Sequence, residues 1–169
     1  MNQFSVTGAF PRTVRIAAAL IFFIPLVSSA GRAQKSETQA GEPLWSASDL
    51  IQPEELARIV QSPKSPRPLI FQVGFRVLYV QAHIPNSEYV GPTSQPEGIQ
   101  HLRQRVQGLP RTQYIVLYCG CCPWSKCPNV HPAYKELRDL GFRNVKLLYI
   151  ADNFGKDWAE KGYPVSKGE

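Results

Sequence analysis

Short apolar runs that alternate with helix-forming segments are the feature that most constrains the fold of this chain. Three runs are rich in strand-favouring residues: LIFQV at 69–73, YIVLYC at 114–119 and NVKLLYI at 144–150. A short continuous apolar run suits a strand in a sheet that is covered on both faces. Because helix-forming segments lie between the runs, the sequence predicts βαβ units and an α/β fold with a mainly parallel central sheet flanked by helices on both faces.

Three segments carry the signals of helix ends. QPEELARIV places Pro53 at the first helical position and two glutamates at the positive end of the helix dipole. A second helix is predicted to begin at Pro96. A third follows Asn129, a good N-cap, and ends at Gly141, which fits the left-handed position beyond a helix. Residues 79–92 predict a short helix or turn that runs into a loop, and residues 154–165 predict a short helix followed by a tail that ends with a proline.

The N-terminus has the pattern of a secretory signal. Arg12 and Arg15 precede the apolar run IAAALIFFIPLV, and small residues follow it. The run is shorter than the ~20 residues needed to span a bilayer. We expect residues 1–33 to be removed by cleavage after Ala30 or Ala33, which would put the protein in the periplasm or outside the cell. The alternative is an uncleaved leader, and contact with a membrane is expected only through that segment.

The remainder of the chain is long enough for one domain with its own core. Residues 34–44 are polar and aperiodic, so they predict a flexible linker. The domain is predicted at 45–165, and residues 166–169 are expected to form a C-terminal tail. A hydrophobic content of 43% is typical of a globular protein rather than a disordered one.

The charge of the chain does not indicate a nucleic-acid partner. The formal net charge is +6, and removal of the leader with its three arginines lowers it to +3. The remaining basic residues are scattered, and no aromatic–basic platform accompanies them. We therefore expect small-molecule partners and no nucleic acid.

All four cysteines of the chain lie in one short segment, YCGCCPWSKCPN. Cys119 stands at the end of a predicted strand and shortly before a predicted helix, at the sheet edge where ligands bind in α/β proteins. Backbone N–H groups and the positive end of a helix favour the thiolate, which is the nucleophilic form of cysteine. Cys119 is therefore the candidate catalytic residue.

The other three cysteines leave several interpretations open. Cys121, Cys122 or Cys127 could act as a resolving thiol, and a loop disulfide such as Cys122–Cys127 would persist in an oxidising compartment. The C-x-x-C spacing of residues 119–122 also permits thiol–disulfide exchange, so a redox protein is one alternative.

A metal site is a further interpretation of the same loop. Cys119, Cys122, Cys127 and His131 could together bind zinc or copper(I). In that case the domain would be a non-catalytic binding module. Otherwise no cofactor is expected.

The order and spacing of the segments from Trp45 to Val165 resemble those of the rhodanese-like sulfurtransferase domains. QPEELARIV resembles the opening helix of that family, and AHIPNSEYV resembles its Gly-His-Ile-Pro-Gly-Ala segment. IVLYC resembles the strand that delivers the catalytic cysteine. LRDLGFRNVKLL and NFGKDWAEKGYPV resemble the closing elements.

The resemblance implies that Cys119 forms a persulfide, so the chain is expected to be an exported sulfurtransferase or sulfur carrier. The expected partners are a small sulfur donor, such as thiosulfate or a persulfide, and an acceptor thiol. Lys126 and Trp124 are candidates for contact with an anionic substrate.

Three departures from the family pattern bear on this expectation. Trp124 occupies the position of the family's loop arginine, and the loop is longer than usual. The family's Asp-Val-Arg after the first core strand is Gln72-Val73-Gly74 here. A phosphatase, which the resemblance also permits, is a weaker interpretation because the sequence supplies no general acid for it.

Overall fold

The computed structural model describes residues 44–63 and 66–168 and contains a five-stranded parallel sheet. All four strand pairings are parallel. This confirms the predicted parallel α/β architecture. The strands are β1 (Leu50–Ile51), β2 (Leu69–Gln72), β3 (Glu88–Tyr89), β4 (Ile115–Tyr118) and β5 (Val145–Leu148). Their order in the sheet is β1-β5-β4-β2-β3.

The helices occupy the connections between the strands, as the βαβ pattern requires. A 3₁₀ turn at Ala47–Asp49 precedes β1, another at Trp124–Lys126 lies in the cysteine segment, and a π-helical turn at Gly155–Ala159 follows β5. The α-helices are α1 (Pro53–Gln61), α2 (Arg76–Gln81), α3 (Pro96–Val106) and α4 (Val130–Asp139).

The two faces of the sheet carry two separate hydrophobic clusters, which is the physical reason for helices on both sides. On one face, the strand residues pack with side chains of α3 and α4, among them Leu102 and Leu137. On the other face, they pack with α1 through Leu56 and with Trp158 of the C-terminal segment. Because side chains alternate along a strand, β4 contributes to both clusters and all four of its residues are buried. The continuous apolar run of this strand is thereby explained.

The outer strands β1 and β3 were not predicted from the sequence. Each has two residues, too few for a periodic signal. They are extended because they pair with longer neighbours: Leu50 aligns with Leu147 of β5, and Glu88 aligns with Phe71 of β2. Pairing in the tertiary structure, rather than local preference, therefore determines these two elements.

Most of the predicted helix and strand positions are close to the observed ones. Gly141 has φ 87°, the left-handed conformation expected beyond the end of α4. Asn129 is at the N-cap of α4, but its side chain makes no capping hydrogen bond. The predicted N-cap position is therefore confirmed, while the side chain itself is engaged with other partners.

The segment that follows β5 is anchored to the rest of the domain. The Trp158 side chain is buried, and its indole N–H donates to the Pro164 carbonyl at 2.7 Å. His83 and Ser166 exchange two backbone hydrogen bonds of 2.9 and 2.8 Å. The His83 ring stacks on Tyr79 with the ring centroids 4.0 Å apart, so its contacts are structural.

The predicted signal peptide at 1–33 lies outside the described residues, as does the predicted linker at 34–44 except for its last residue. None of the helices within the described ranges combines the length and apolar character needed to cross a bilayer.

Candidate active site

Strand β4 delivers Cys119 to the carboxyl edge of the sheet. The backbone then turns at Gly120, which has φ 90°, a conformation that favours glycine. A Cβ atom at this position would also lie 3.1 Å from the Cβ atom of Phe154. The backbone N–H of Phe154 donates to the Gly120 carbonyl at 3.0 Å. The segment after β5 thus forms one wall beside the cysteine.

The Cys119 sulfur lies among polar hydrogen atoms rather than in a purely apolar core. Its residue is only 3% exposed. Its Sγ is 3.3 Å from the Sγ of Cys121 and 3.4 Å from the side-chain nitrogen of Asn129, which donates to it. The thiol of Cys127 also hydrogen-bonds to it. Donors on several sides can stabilise a negative sulfur.

These contacts favour the thiolate of Cys119. The hydrogen bond from Cys127 is the largest cause, and further bonds from the Cys121 backbone, the Cys121 thiol and Asn129 act in the same direction. Burial opposes them, yet together they lower the pKa of Cys119 to about 6. The pKa of Cys127 is raised because its thiol donates to Cys119 and is buried. The pKa of Cys121 is raised by burial first, and by its bonds to Cys122 and Cys119. Cys119 is therefore the cysteine of this cluster that ionises most readily.

Asn129 is a site residue that the sequence analysis assigned only to a helix end. It is fully buried, and its side-chain oxygen accepts the Ser94 backbone N–H at 3.0 Å. Its carbonyl accepts the Thr93 hydroxyl at 2.5 Å. The bond from Ser94 orients the side-chain amide so that its N–H reaches Cys119, and the bond from Thr93 holds the backbone of Asn129. No sequence signal indicated this contact, because residues 93 and 94 are distant in the chain.

The loop after β2 packs directly against Cys119. The Gln72 side chain donates to the Cys119 carbonyl at 2.9 Å and accepts the Gly74 backbone N–H at 3.1 Å. A Cβ atom on Gly74 would lie 2.6 Å from the Cys119 sulfur, so there is no room for a side chain at this position. The Gln72 amide and the absence of a side chain at Gly74 thus allow the close approach of the two strand ends.

A cavity of about 440 Å³ opens beside Cys119. Its lining is mostly apolar or uncharged, and no lysine, arginine or carboxylate belongs to it among the described residues. Leu78 lies within α2 and Ala82 directly follows it, and Phe154 and Ala159 lie in the segment after β5. The uncharged polar groups are the side chains of Gln72, Gln81, Tyr118 and Asn153, together with the thiols of Cys119 and Cys121.

Lys126 and Trp124 do not line this cavity. Both belong to the 3₁₀ turn in the cysteine segment, and Lys126 is exposed. The ring of Trp124 packs edge-on against Trp45, with the centroids 5.7 Å apart. The structure therefore separates these two side chains from the space beside Cys119.

The cysteines that come together differ from the predicted metal set of Cys119, Cys122, Cys127 and His131. The structure groups Cys119, Cys121 and Cys127, whose sulfur atoms all lie within 4.8 Å of one another. The ring nitrogen Nε2 of His131 lies 3.2 Å from the Trp124 carbonyl, and the ring lies against Trp45 at 4.1 Å. These contacts hold His131 away from the sulfur cluster.

Cys122 contacts the cluster from its outer side. Its sulfur is 3.1 Å from that of Cys121, and the four cysteines are free thiols. The predicted Cys122–Cys127 disulfide is not formed in this structure.

Known structures share the architecture of this domain. A protein of Bacillus halodurans is 19% identical with a TM-score of 0.53, and the match covers 70% of this chain and 76% of that one. The rhodanese-like domain of an Anabaena protein is 20% identical with a TM-score of 0.51, over 70% of this chain and 79% of that one. A thiosulfate sulfurtransferase from Pseudomonas aeruginosa is 25% identical with a TM-score of 0.50, over 72% of this chain and 20% of that one.

No protein-family model matches the sequence, and the comparison with curated proteins gives no match. The structural likeness therefore identifies the fold. This chain has the fold of a rhodanese-like domain, with its cysteines gathered in the loop that follows the central strand.

Proposed function

We propose that this chain carries sulfur as a persulfide on Cys119 and passes it to an acceptor thiol. The observation that carries the proposal is the position of Cys119: it directly follows the central strand of a rhodanese-like fold and lines the cavity at that edge. Hydrogen bonds from Cys127, Cys121 and Asn129 support the thiolate that such chemistry needs.

The chemistry proceeds in two displacements. In the first, the Cys119 thiolate attacks the outer sulfur of a donor R–S–SH; the donor S–S bond breaks, R–S⁻ leaves, and Cys119–S–SH forms. In the second, an acceptor thiolate attacks the outer sulfur of that persulfide, which regenerates the Cys119 thiolate and gives the acceptor persulfide. The donors that stabilise the thiolate also stabilise it as the leaving group of the second step.

The lining of the cavity favours an organic persulfide over thiosulfate as the donor. Thiosulfate carries two negative charges, and their removal from water needs compensating positive charge or many hydrogen-bond donors. The cavity residues supply amides, a phenol and apolar surface. A donor with an apolar or uncharged organic group would meet complementary surface there.

The test follows the persulfide directly. Purified protein is incubated with an organic hydropersulfide or with thiosulfate, and mass spectrometry records the addition of one sulfur atom. We expect the adduct in the wild type and its absence in Cys119→Ser, with faster formation from the organic donor. Release of the sulfur to cyanide, followed as thiocyanate, measures the second step. Failure of both donors to give an adduct on Cys119 would refute sulfur carriage.

Equal or faster reaction with thiosulfate would refute only the preference for an organic donor. A suitable control is Lys126→Ala, which removes a loop cation outside the cavity. If Lys126 recruits an anionic donor, this variant slows the thiosulfate reaction alone. If the cavity selects the donor, both reactions are unchanged.

A further inference from the structure

Three thiols converge at the carboxyl edge of the sheet, and sulfur carriage needs only one of them as a nucleophile. The sulfurs of Cys119, Cys121 and Cys127 all lie within 4.8 Å of one another. Cys119 and Cys127 are buried, whereas Cys121 lies at the surface. A small ion could therefore reach the three sulfurs from the solvent side, at Cys121, and would be shielded from solvent on the side of Cys119 and Cys127.

The spacing of the three sulfurs suits a common metal ion. With metal–thiolate bonds of about 2.3 Å, the length known for zinc, three sulfurs arranged around one ion lie about 4 Å apart. The separation of 3.3 Å between Cys119 and Cys121 and the 4.8 Å limit for the group bracket this value. Movement of each sulfur by less than an ångström would place all three at bonding distance from one ion between them.

The number of ligands decides which ion fits. Zinc in structural sites takes four ligands in a tetrahedron, whereas thiolates also select the soft ion copper(I). Among the described His, Cys, Asp and Glu side chains, the cluster at Cys119 comprises three sulfurs and no fourth ligand. His131 is occupied with the Trp124 carbonyl and the Trp45 ring. Cys122 reaches only the outer side of Cys121.

We propose that Cys119, Cys121 and Cys127 form a three-thiolate binding site for copper(I). Each thiol that ligates the ion loses its proton as the metal–sulfur bond forms, and neither copper nor sulfur changes oxidation state. The Asn129 amide, which donates to the Cys119 sulfur at 3.4 Å, remains as an outer hydrogen bond to that ligand. Because the ion would occupy Cys119, copper-bound protein cannot form the persulfide.

The experiment is an anaerobic competition with the chromophoric copper(I) chelator bicinchoninate, with fully reduced protein and ascorbate present. We expect one copper(I) per chain. Cys121→Ser and Cys127→Ser should each weaken binding at least about tenfold, because loss of an outer-shell partner alone can cost that much. Cys122→Ser and His131→Ala are the matched controls and should leave the affinity unchanged. Cys121 is at the surface, so its substitution tests the site without a risk to the core.

Three results would overturn the proposal. They are the absence of copper(I) binding at one per chain, equal losses in Cys122→Ser and Cys121→Ser, and tighter binding of zinc that depends on Cys122 or His131. X-ray absorption of the copper protein should give three sulfur ligands. The copper-binding assay contains no sulfur donor, so its outcome does not depend on whether the protein carries sulfur. Likewise, the persulfide assay contains no copper, so a failure to bind copper(I) would leave the proposal of sulfur carriage unaffected.

Discussion

At the scale of single residues, Gly74 shows how closely the two strand ends approach each other. A Cβ atom at this position would lie 2.6 Å from the Cys119 sulfur and 3.0 Å from the Cys119 carbonyl oxygen. A carbon atom and a sulfur atom cannot pack at 2.6 Å, so a side chain at this position would displace the Cys119 sulfur. The glycine is thus a condition for the observed position of the sulfur.

Gly74→Ala should move Cys119 and so reduce the rate of its alkylation and persulfide formation. The overpacking should also destabilise the fold by about 1–3 kcal/mol. Alkylation kinetics with iodoacetamide and denaturant unfolding measure the two effects.

Gly108→Ala is the control for that substitution. Its Cβ atom would meet no atom within 4 Å, and its cost comes only from φ 79°, about 1–2 kcal/mol. It should lower stability without a change in Cys119 reactivity. Equal reactivity of Gly74→Ala and the wild type would contradict the steric argument.

Asn129 tests the electrostatic side of the same site. In metal-free protein the Cys119 thiolate forms as the pH rises through about 6, so the alkylation rate should rise across that range and level off above it. Asn129→Asp keeps the oxygen that accepts from Ser94 but replaces the donor to Cys119 with a negative charge. The half-maximal pH should therefore move upward, because a nearby like charge disfavours the thiolate. Tandem mass spectrometry locates the adduct on Cys119 at each pH, and an unchanged profile would show that Asn129 does not position or stabilise the thiolate.

At the scale of elements, β4 joins the core to the site. It pairs with β2 on one side and β5 on the other, and it packs helices against both of its faces. Its last residue precedes Cys119 directly, so the position of the sulfur depends on the rigidity of the strand. The loop after β4 adds to this strand end two further thiols, from Cys121 and Cys127, that contact Cys119.

Leu117→Ala should reduce the free energy of unfolding by about 2–5 kcal/mol, because it opens a space in the centre of the core. Leu117 is 0% exposed and packs with α3 and α4 residues. Leu44→Ala is the surface control: this residue is 44% exposed, and its loss should change stability by less than about 0.5 kcal/mol. Chemical denaturation compares the two. Similar losses would contradict the central role of β4.

At the scale of the whole molecule, the proposed export of the chain rests on its N-terminal sequence. Arg12 and Arg15, the apolar run and the small residues that follow form the pattern of a cleaved signal. An oxidising compartment would bear on both proposals, since persulfide formation and copper(I) binding each need reduced thiols. Export would therefore imply a reductant in that compartment that keeps these cysteines as thiols.

Expression of the full chain in a bacterium should give a shortened protein in the periplasmic fraction. N-terminal sequencing should find the first residue after Ala30 or Ala33. Replacement of Arg12 and Arg15 by glutamate should retain the precursor in the cytoplasm, because the basic region directs insertion of the signal. A full-length chain in the membrane fraction would instead support the uncleaved anchor.

The local sequence pattern was sufficient to predict the fold class, and it also singled out Cys119 as the candidate nucleophile. The runs at 69–73, 114–119 and 144–150 are apolar because both sheet faces are covered, and this local pattern is sufficient to predict a parallel α/β sheet. Cys119 was identified because its position at a strand end depends only on the boundary of one element. The edge strands β1 and β3 could not be predicted, because two residues become extended only when a neighbouring strand pairs with them.

The groups that surround the Cys119 sulfur could be identified only from the folded chain. Gly74 and Asn129 reach it from segments 45 and 10 residues away, and Cys121 replaces Cys122 in the sulfur cluster. Lys126 and His131 are near in sequence, yet the local turn directs them elsewhere. Proximity across a sheet edge depends on strand order and on the packing of loops, and neither is contained in the spacing of residues along one segment.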